Sequence, residues 1–191
     1  MPPHLRNYTN IAGITEDYFK VREFLLRLGY SEFVYARWDW MITHGYLDKT
    51  AVGKIGIWEE NGEIVGIATF DTRLGVGYCL THPDYWGLKE EMLNYAEEHL
   101  STPEGFEIVI PDTDLRFQDL AARSGYVASQ GKESDAVFYL DQTSLDYELP
   151  AGFRITTMKE SFDLPQYRRV LWKGFNHELN GEGLFSFSSE D

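Results

Sequence analysis

The sequence predicts an α/β fold: a mixed central sheet flanked by helices. Three observations carry that expectation. Two stretches near the start have apolar residues at helical spacing, an Asn-Gly pair joins two alternating apolar runs, and the later part alternates strand, helix and strand.

Thr15-Glu16-Asp17 reads as a helix start, a hydroxyl N-cap followed by two acids suited to the positive end of the dipole. Tyr18, Val21, Leu25 and Leu28 follow at helical spacing, and Gly29 stands where a left-handed C-cap belongs. A second helix is expected from Tyr35 to His44. It carries Trp38, Trp40 and Met41, as core or as a substrate-side wall. Lys54 to Phe70 reads as a hairpin. Ile55 and Ile57 alternate with Gly56 and Trp58, Ile64 to Phe70 returns, and Asn61-Gly62 suits a type I′ turn, whose two central residues need positive φ.

Val76 to Thr81 is the next strand. After His82-Pro83 a helix is expected to about Leu100, with Leu88, Met92, Ala96 and Leu100 on one face. Phe106 to Ile110 is a nearly continuous apolar strand. Asp112 or Thr113 is expected to cap the following helix, where Phe117, Leu120, Ala121 and Ser124 share a face and Gly125 ends it. Ala136 to Leu140 is a last strand. The strand-helix-strand units imply parallel pairing there, and the hairpin adds antiparallel strands.

The 191 residues form a chain with 43% hydrophobic and 15% aromatic content, ample for a packed core. No apolar run approaches the roughly 18–20 residues of a membrane span. The start, Met1-Pro2-Pro3-His4, lacks the layout of a signal peptide, and Cys79 is the single cysteine, so a reducing cytoplasm is the expected location. A formal charge of −14 disfavours nucleic acid and anionic membrane surfaces and attracts cationic ligands such as amines.

Residues 1–145 are expected to form one domain. Residues 146–191 are expected to be a linker and either the start of a truncated second domain or a C-terminal extension. Phe153-Arg154-Ile155 reads as a short strand, and Asp163 caps a helix with Leu164-Pro165 at its first positions. Phe153, Ile155, Val170, Leu171, Trp172 and Phe175 are an apolar set too large to leave in water. They are expected to dock on the first domain's sheet or across a homodimer contact.

The stretch Cys79-Leu80-Thr81-His82-Pro83-Asp84-Tyr85, in this order of elements, resembles the GNAT family of acetyl-CoA-dependent N-acetyltransferases. Leu120-Ala121-Ala122-Arg123-Ser124-Gly125-Tyr126 is similar to the family's later helix with its terminal glycine-aromatic pair. The resemblance covers roughly residues 10 to 140. Leu149 to Ile155 with Tyr167 to Phe175 resembles the opening of a second such domain in tandem. The resemblance implies acetyl-CoA as cosubstrate and direct attack by a primary amine, from a small molecule or a peptide N-terminus. It implies that Cys79, Leu80 and Thr81 pair with the pantetheine arm. Gly87, Leu88 and Lys89 would face the pyrophosphate, as backbone N–H groups at a helix start do.

The chain departs from the family in two places. The family loop is Gln/Arg-x-x-Gly-x-Gly/Ala, and here the stretch is Asp84-Tyr85-Trp86-Gly87-Leu88-Lys89-Glu90-Glu91. Asp84 or Trp86 takes the Arg position, depending on register. Asp84, Glu90 and Glu91 bring carboxylates toward a pyrophosphate, which Lys89 offsets in part. Ala121 stands where many members place the tyrosine that protonates the leaving thiolate. A general base is also needed. His82, at a strand end beside the implied cofactor, is one candidate, with a structural role in the turn as its alternative. Asp71, at the end of the hairpin's return strand, is the other. These departures support an alternative reading, a non-catalytic domain of this fold serving binding or dimerisation. The histidines are scattered and do not form a zinc set. There is no nucleophile elbow and no phosphate loop ending in Gly-Lys-Ser/Thr, and Cys79 inside an apolar strand suits an inert thiol.

Overall fold

The computed structural model describes residues 2–29, 33–133, 148–157 and 159–176. The chain divides into two units, Met1–Gly131 and Lys132–Asp191.

The first unit is built on a five-stranded mixed sheet of order β1-β2-β3-β4-β5. Its centre is the hairpin of β2 (Gly56–Glu60) and β3 (Glu63–Phe70). Glu60 pairs with Glu63 across a two-residue turn, and Asn61 and Gly62 take φ of 52° and 85°, as a type I′ turn requires. A register shift at Trp58/Glu59 marks a bulge in β2. The antiparallel pairing continues from β3 to β4 (Val76–Thr81).

One strand departs from expectation. β1 (His4–Asn7) adds antiparallel to β2 at the sheet edge. Its residues are mostly polar, and tertiary contacts hold it. Arg6 donates to both oxygens of Asp17 at 3.0 and 2.8 Å and to Glu59 at 2.6 Å, while the Thr9 amide donates to Asp17 at 2.8 Å. The Arg6 hydrogen bond, which outweighs burial, holds the Glu59 carboxyl below its usual range. Burial pushes Asp17 up, but Arg6 and the Thr9 amide outweigh it, and the net shift is downward.

Helix α1 (Glu16–Leu28) starts on Thr15, whose hydroxyl accepts from the Tyr18 amide, and ends at Gly29 with φ of 77°. Helix α2 (Tyr35–Thr43) follows, with Trp38 and Met41 fully buried. Helix α3 (Lys89–Leu100) covers the sheet face to which Gly56 and Gly66 turn. A Cβ at Gly56 would lie 2.6 Å from the Tyr95 ring, so the close approach of this helix requires glycine there. Ile57 and Ile67 point to the opposite face and are equally buried, and α1, which packs on β3 and α2, covers that side.

After Pro83 the chain does not enter an α-helix directly. Pro83–Leu88 is a 3-10 turn, and α3 begins only at Lys89. β5 is shorter than expected, Glu107–Ile108, and pairs parallel to β4. Helix α4 (Leu115–Arg123) is capped by Asp114 rather than by Asp112 or Thr113. The Asp114 carboxylate accepts from the Phe117 amide at 3.0 Å, and Gly125 follows at φ 93°. The strand expected at 136–140 lies outside the described residues.

In the second unit, α5 (Leu164–Gly174) begins as expected. The Asp163 carboxylate accepts from the Gln166 amide at 3.0 Å, and Pro165 sits in the first turn. Phe153–Ile155 is not a strand; no ladder partner among the described residues supports it. No residue of α5 is buried. No helix among the described residues is long and apolar enough to cross a membrane.

Candidate functional site at the splay between β4 and β5

The parallel ladder between β4 and β5 is short. Val76 stands opposite Glu107 and Gly77 opposite Ile108. The Glu107 amide donates to the Gly75 carbonyl at 2.8 Å and the Val109 amide to the Gly77 carbonyl at 2.9 Å. Continued in that register, the next donor would be residue 111, opposite the carbonyl of Cys79. Residue 111 is proline, which has no N–H, and the strands part there.

The Cys79 carbonyl is not left bare. The ammonium of Lys89, the first residue of α3, donates to it at 2.5 Å. The same nitrogen lies 4.3 Å from the centroid of the Phe117 ring and 4.0 Å from Asp114 Oδ2, both at the start of α4. The Lys89 side chain is 2% exposed. A buried ammonium needs such surroundings: a carbonyl, a carboxylate and an aromatic face together replace the water it has lost.

Above this contact opens a cleft of about 500 Å³ lined by Arg27, Thr81, His82, Trp86, Lys89 and Asp114, among others. Strand alternation turns the backbone of Thr81 to the same side as that of Cys79, toward the splay. Arg116 on α4 stacks over the Trp86 ring at 3.4 Å from its centroid, a second cationic link between the 3-10 turn and α4. Arg27 pairs with Glu63 and donates to the Ile64 carbonyl at 3.3 Å.

The loop carboxylates scatter. Asp84 and Glu90 are exposed, Glu91 accepts from Trp58 Nε1 at 2.8 Å, and Tyr85 donates to Glu60. Gly87 is exposed within the 3-10 turn, and Leu88 is half-buried against the core. Because α3 continues from that turn, Leu88 has helical backbone angles and no side chain caps the helix start. Lys89, expected to face a pyrophosphate, instead turns into the interior between β4 and α4.

His82 and Asp71 do not meet. Gly66 pairs with Thr81 and Phe70 with Gly77, so the two residues flank opposite ends of the β3–β4 hairpin, about 20 Å apart at about 3.3 Å per residue. His82 lines the cleft. Its Nδ1 accepts from the Asp84 amide at 3.3 Å and lies 3.6 Å from Asp84 Oδ2, which pins the turn before Pro83. With Nδ1 accepting, the neutral ring carries its proton on Nε2. Asp71 accepts from Arg37 at 2.7 Å, away from the cleft-lining residues. Its second oxygen is buried with no hydrogen-bond partner among the described residues.

Cys79 is fully buried, and Ala121, where the resembled family often has tyrosine, is buried on the inner face of α4. Trp38 and Trp58 are core. Trp40 and Tyr46 are half exposed and stack through His44, with centroids 4.2 and 4.9 Å from its ring. No group of three metal-ligating side chains occurs among the described residues. The burial of Lys89 has a signal in the sequence: with Met92, Leu93, Ala96 and Leu100 it falls on the apolar stripe of α3.

No protein-family model matches the chain, and no curated protein matches it. Among solved structures it is similar to a ribosomal-protein-alanine N-acetyltransferase from Brucella melitensis biovar Abortus 2308. The identity is 15% over 73% of this chain and 100% of that one, with a TM-score of 0.36.

Proposed function

We propose that the Met1–Gly131 unit is an N-acetyltransferase domain that takes acetyl-CoA at the β4–β5 splay and transfers the acetyl group to a primary amine by direct attack. The observation that carries this reading is the ladder stop at Pro111, which opens a cleft beside the strand that resembles the family's cofactor strand. Cys79, Leu80 and Thr81 lie along the arm of the cofactor, and Gly87 and Leu88 lie nearest its phosphates. The amine nitrogen attacks the thioester carbon, the C–N bond forms and the C–S bond breaks. The amine proton passes to solvent, and the thiolate takes a proton.

His82 suits the last step better than the first. Its Nδ1 lone pair is engaged by the Asp84 amide, so the neutral ring has no acceptor to offer at Nε2. Once protonated on both nitrogens it gives the Nε2 proton, and Asp84 Oδ2, 3.6 Å from Nδ1, steadies the cation. Asp71, paired with Arg37 at the other end of the hairpin, has no part in this centre.

A second reading, a non-catalytic domain of this fold, is favoured by one observation: Lys89 occupies the Cys79 carbonyl that the arm would use. Thiol release from acetyl-CoA, followed with a panel of small amines and short peptides, separates the two. Amine-dependent release is expected. Binding of acetyl-CoA without release under any amine establishes the second reading, and the absence of both removes the assignment.

A further inference from the structure

We propose that Lys89 sets what the cleft admits: its side chain is a bar across the splay that disfavours an amide-bearing arm while leaving the outer end of the cleft open. The proposal rests on the acetyl-CoA reading above.

The bar spans two walls. Cys79 belongs to β4, while Asp114 and Phe117 belong to the start of α4, which follows β5. The Lys89 nitrogen touches all three, at 2.5, 4.0 and 4.3 Å. A ligand arm threading between β4 and α4 crosses this line. Its amide N–H also needs the acceptor that Lys89 already holds, because Pro111 supplies no competing donor and Cys79 turns its carbonyl into the gap.

Displacement is costly. The ammonium leaves a carbonyl, a ring and a carboxylate inside a site where its side chain is 2% exposed. Hydrogen bonds involving a charged group are worth more than the neutral amide bond that would replace one. Attraction of the ammonium for phosphate does not reverse the balance, because Asp114 lies beside it and Lys89 points inward, away from the exposed Gly87. Lys89 thus acts on the arm and not on the charge of the ligand.

The test is calorimetric titration of the full chain, wild type, Lys89→Ala and Lys89→Met, with acetyl-CoA and with adenosine 3′,5′-bisphosphate, which carries the anionic end without the arm. Lys89→Met keeps the apolar stem and guards against a collapsed Lys89→Ala protein, with far-UV circular dichroism as the check on folding. The bar predicts that acetyl-CoA binds about tenfold more tightly to the folded variants, while the bisphosphate changes by less than about twofold. Equal or weaker acetyl-CoA binding by the variants, with measurable binding by wild type, overturns the bar and leaves the acetyl-CoA reading standing. Tightening of both ligands alike also overturns it, since the effect would then lie on charge. No acetyl-CoA binding by any form removes the reading and the bar together.

Discussion

The ammonium of Lys89 donates to the carbonyl of Cys79 just past the end of the parallel ladder, where the next rung would need an N–H from residue 111 and that residue is proline. The splay between β4 and β5 is therefore written into two residues far apart in the chain. Pro111 stops the pairing, and Lys89 satisfies the carbonyl that the stop leaves behind.

Replacing Pro111 tests the first half. Pro111→Ala restores a backbone N–H aimed at Cys79. The new N–H competes with Lys89 for that carbonyl, so the gain is at most about 1 kcal/mol, while losing the proline's restriction of the unfolded chain costs about 0.4–1 kcal/mol. Net stability should barely move. The ligand response should move more: a ladder closed by one more rung narrows the cleft, and acetyl-CoA affinity should fall about tenfold. Unchanged affinity by titration would show that Pro111 does not hold the cleft open.

The Arg6 network should dominate the acid limb of stability. Arg6→Ala leaves Asp17 and Glu59 without their shared cation and should cost about 3 kcal/mol by urea denaturation. Asp17 and Glu59 are held below their ordinary values of 3.8 and 4.5, so their contribution is complete above those values. It is lost as the pH falls through the lowered folded-state values. Wild-type stability should therefore drop on acidification below about pH 4.5, and the drop should be smaller in Arg6→Ala. Parallel acid limbs in the two proteins would contradict this.

The turn at Asn61-Gly62 gives a cleaner backbone test. Gly62 has φ of 85°, and an added Cβ there would meet nothing within 4 Å. Gly62→Ala is therefore opposed by backbone conformation alone and should cost about 1 kcal/mol. Asn61→Gly should be close to neutral. A neutral Gly62→Ala in urea melts would mean that the turn relaxes to another type.

His82→Asn separates structure from chemistry. An asparagine oxygen can accept from the Asp84 amide as Nδ1 does, so the turn should persist and the melting temperature should hold within about 2 °C. On the proposed role of His82 as donor to the leaving thiolate, thiol release should fall about a hundredfold. Full activity in His82→Asn would confine His82 to the turn.

How much of this is legible in the sequence depends on where the stabilising contacts lie. The hairpin, α1 and the strand at Val76–Thr81 are readable because local signals fix them: Asn61-Gly62 for the turn, Thr15 and Gly29 for the helix ends, and apolar runs for the strands. β1 is not readable, because His4-Leu5-Arg6-Asn7 is short and mostly polar and is held by β2 and by Asp17 and Glu59. The helix starts at Lys89 rather than Pro83 because His82 Nδ1 takes the Asp84 amide and favours a tighter first turn. The cap falls on Asp114 because its carboxylate, and not that of Asp112, reaches the Phe117 amide. The strand at Val76–Thr81, which the resemblance implies for the cofactor, forms where the sequence places it. The inward turn of Lys89 is hidden, because a lysine beside two glutamates looks like a solvated helix start unless its place on the apolar stripe is weighed.

The most direct measurement of the central claim is the melting temperature of the full chain with and without acetyl-CoA at about 1 mM, since a ligand that binds only the native state must raise it. A Kd of about 100 μM predicts a rise of about 3–6 °C in wild type and a larger rise in Lys89→Met. No rise in either protein would contradict acetyl-CoA binding at the splay.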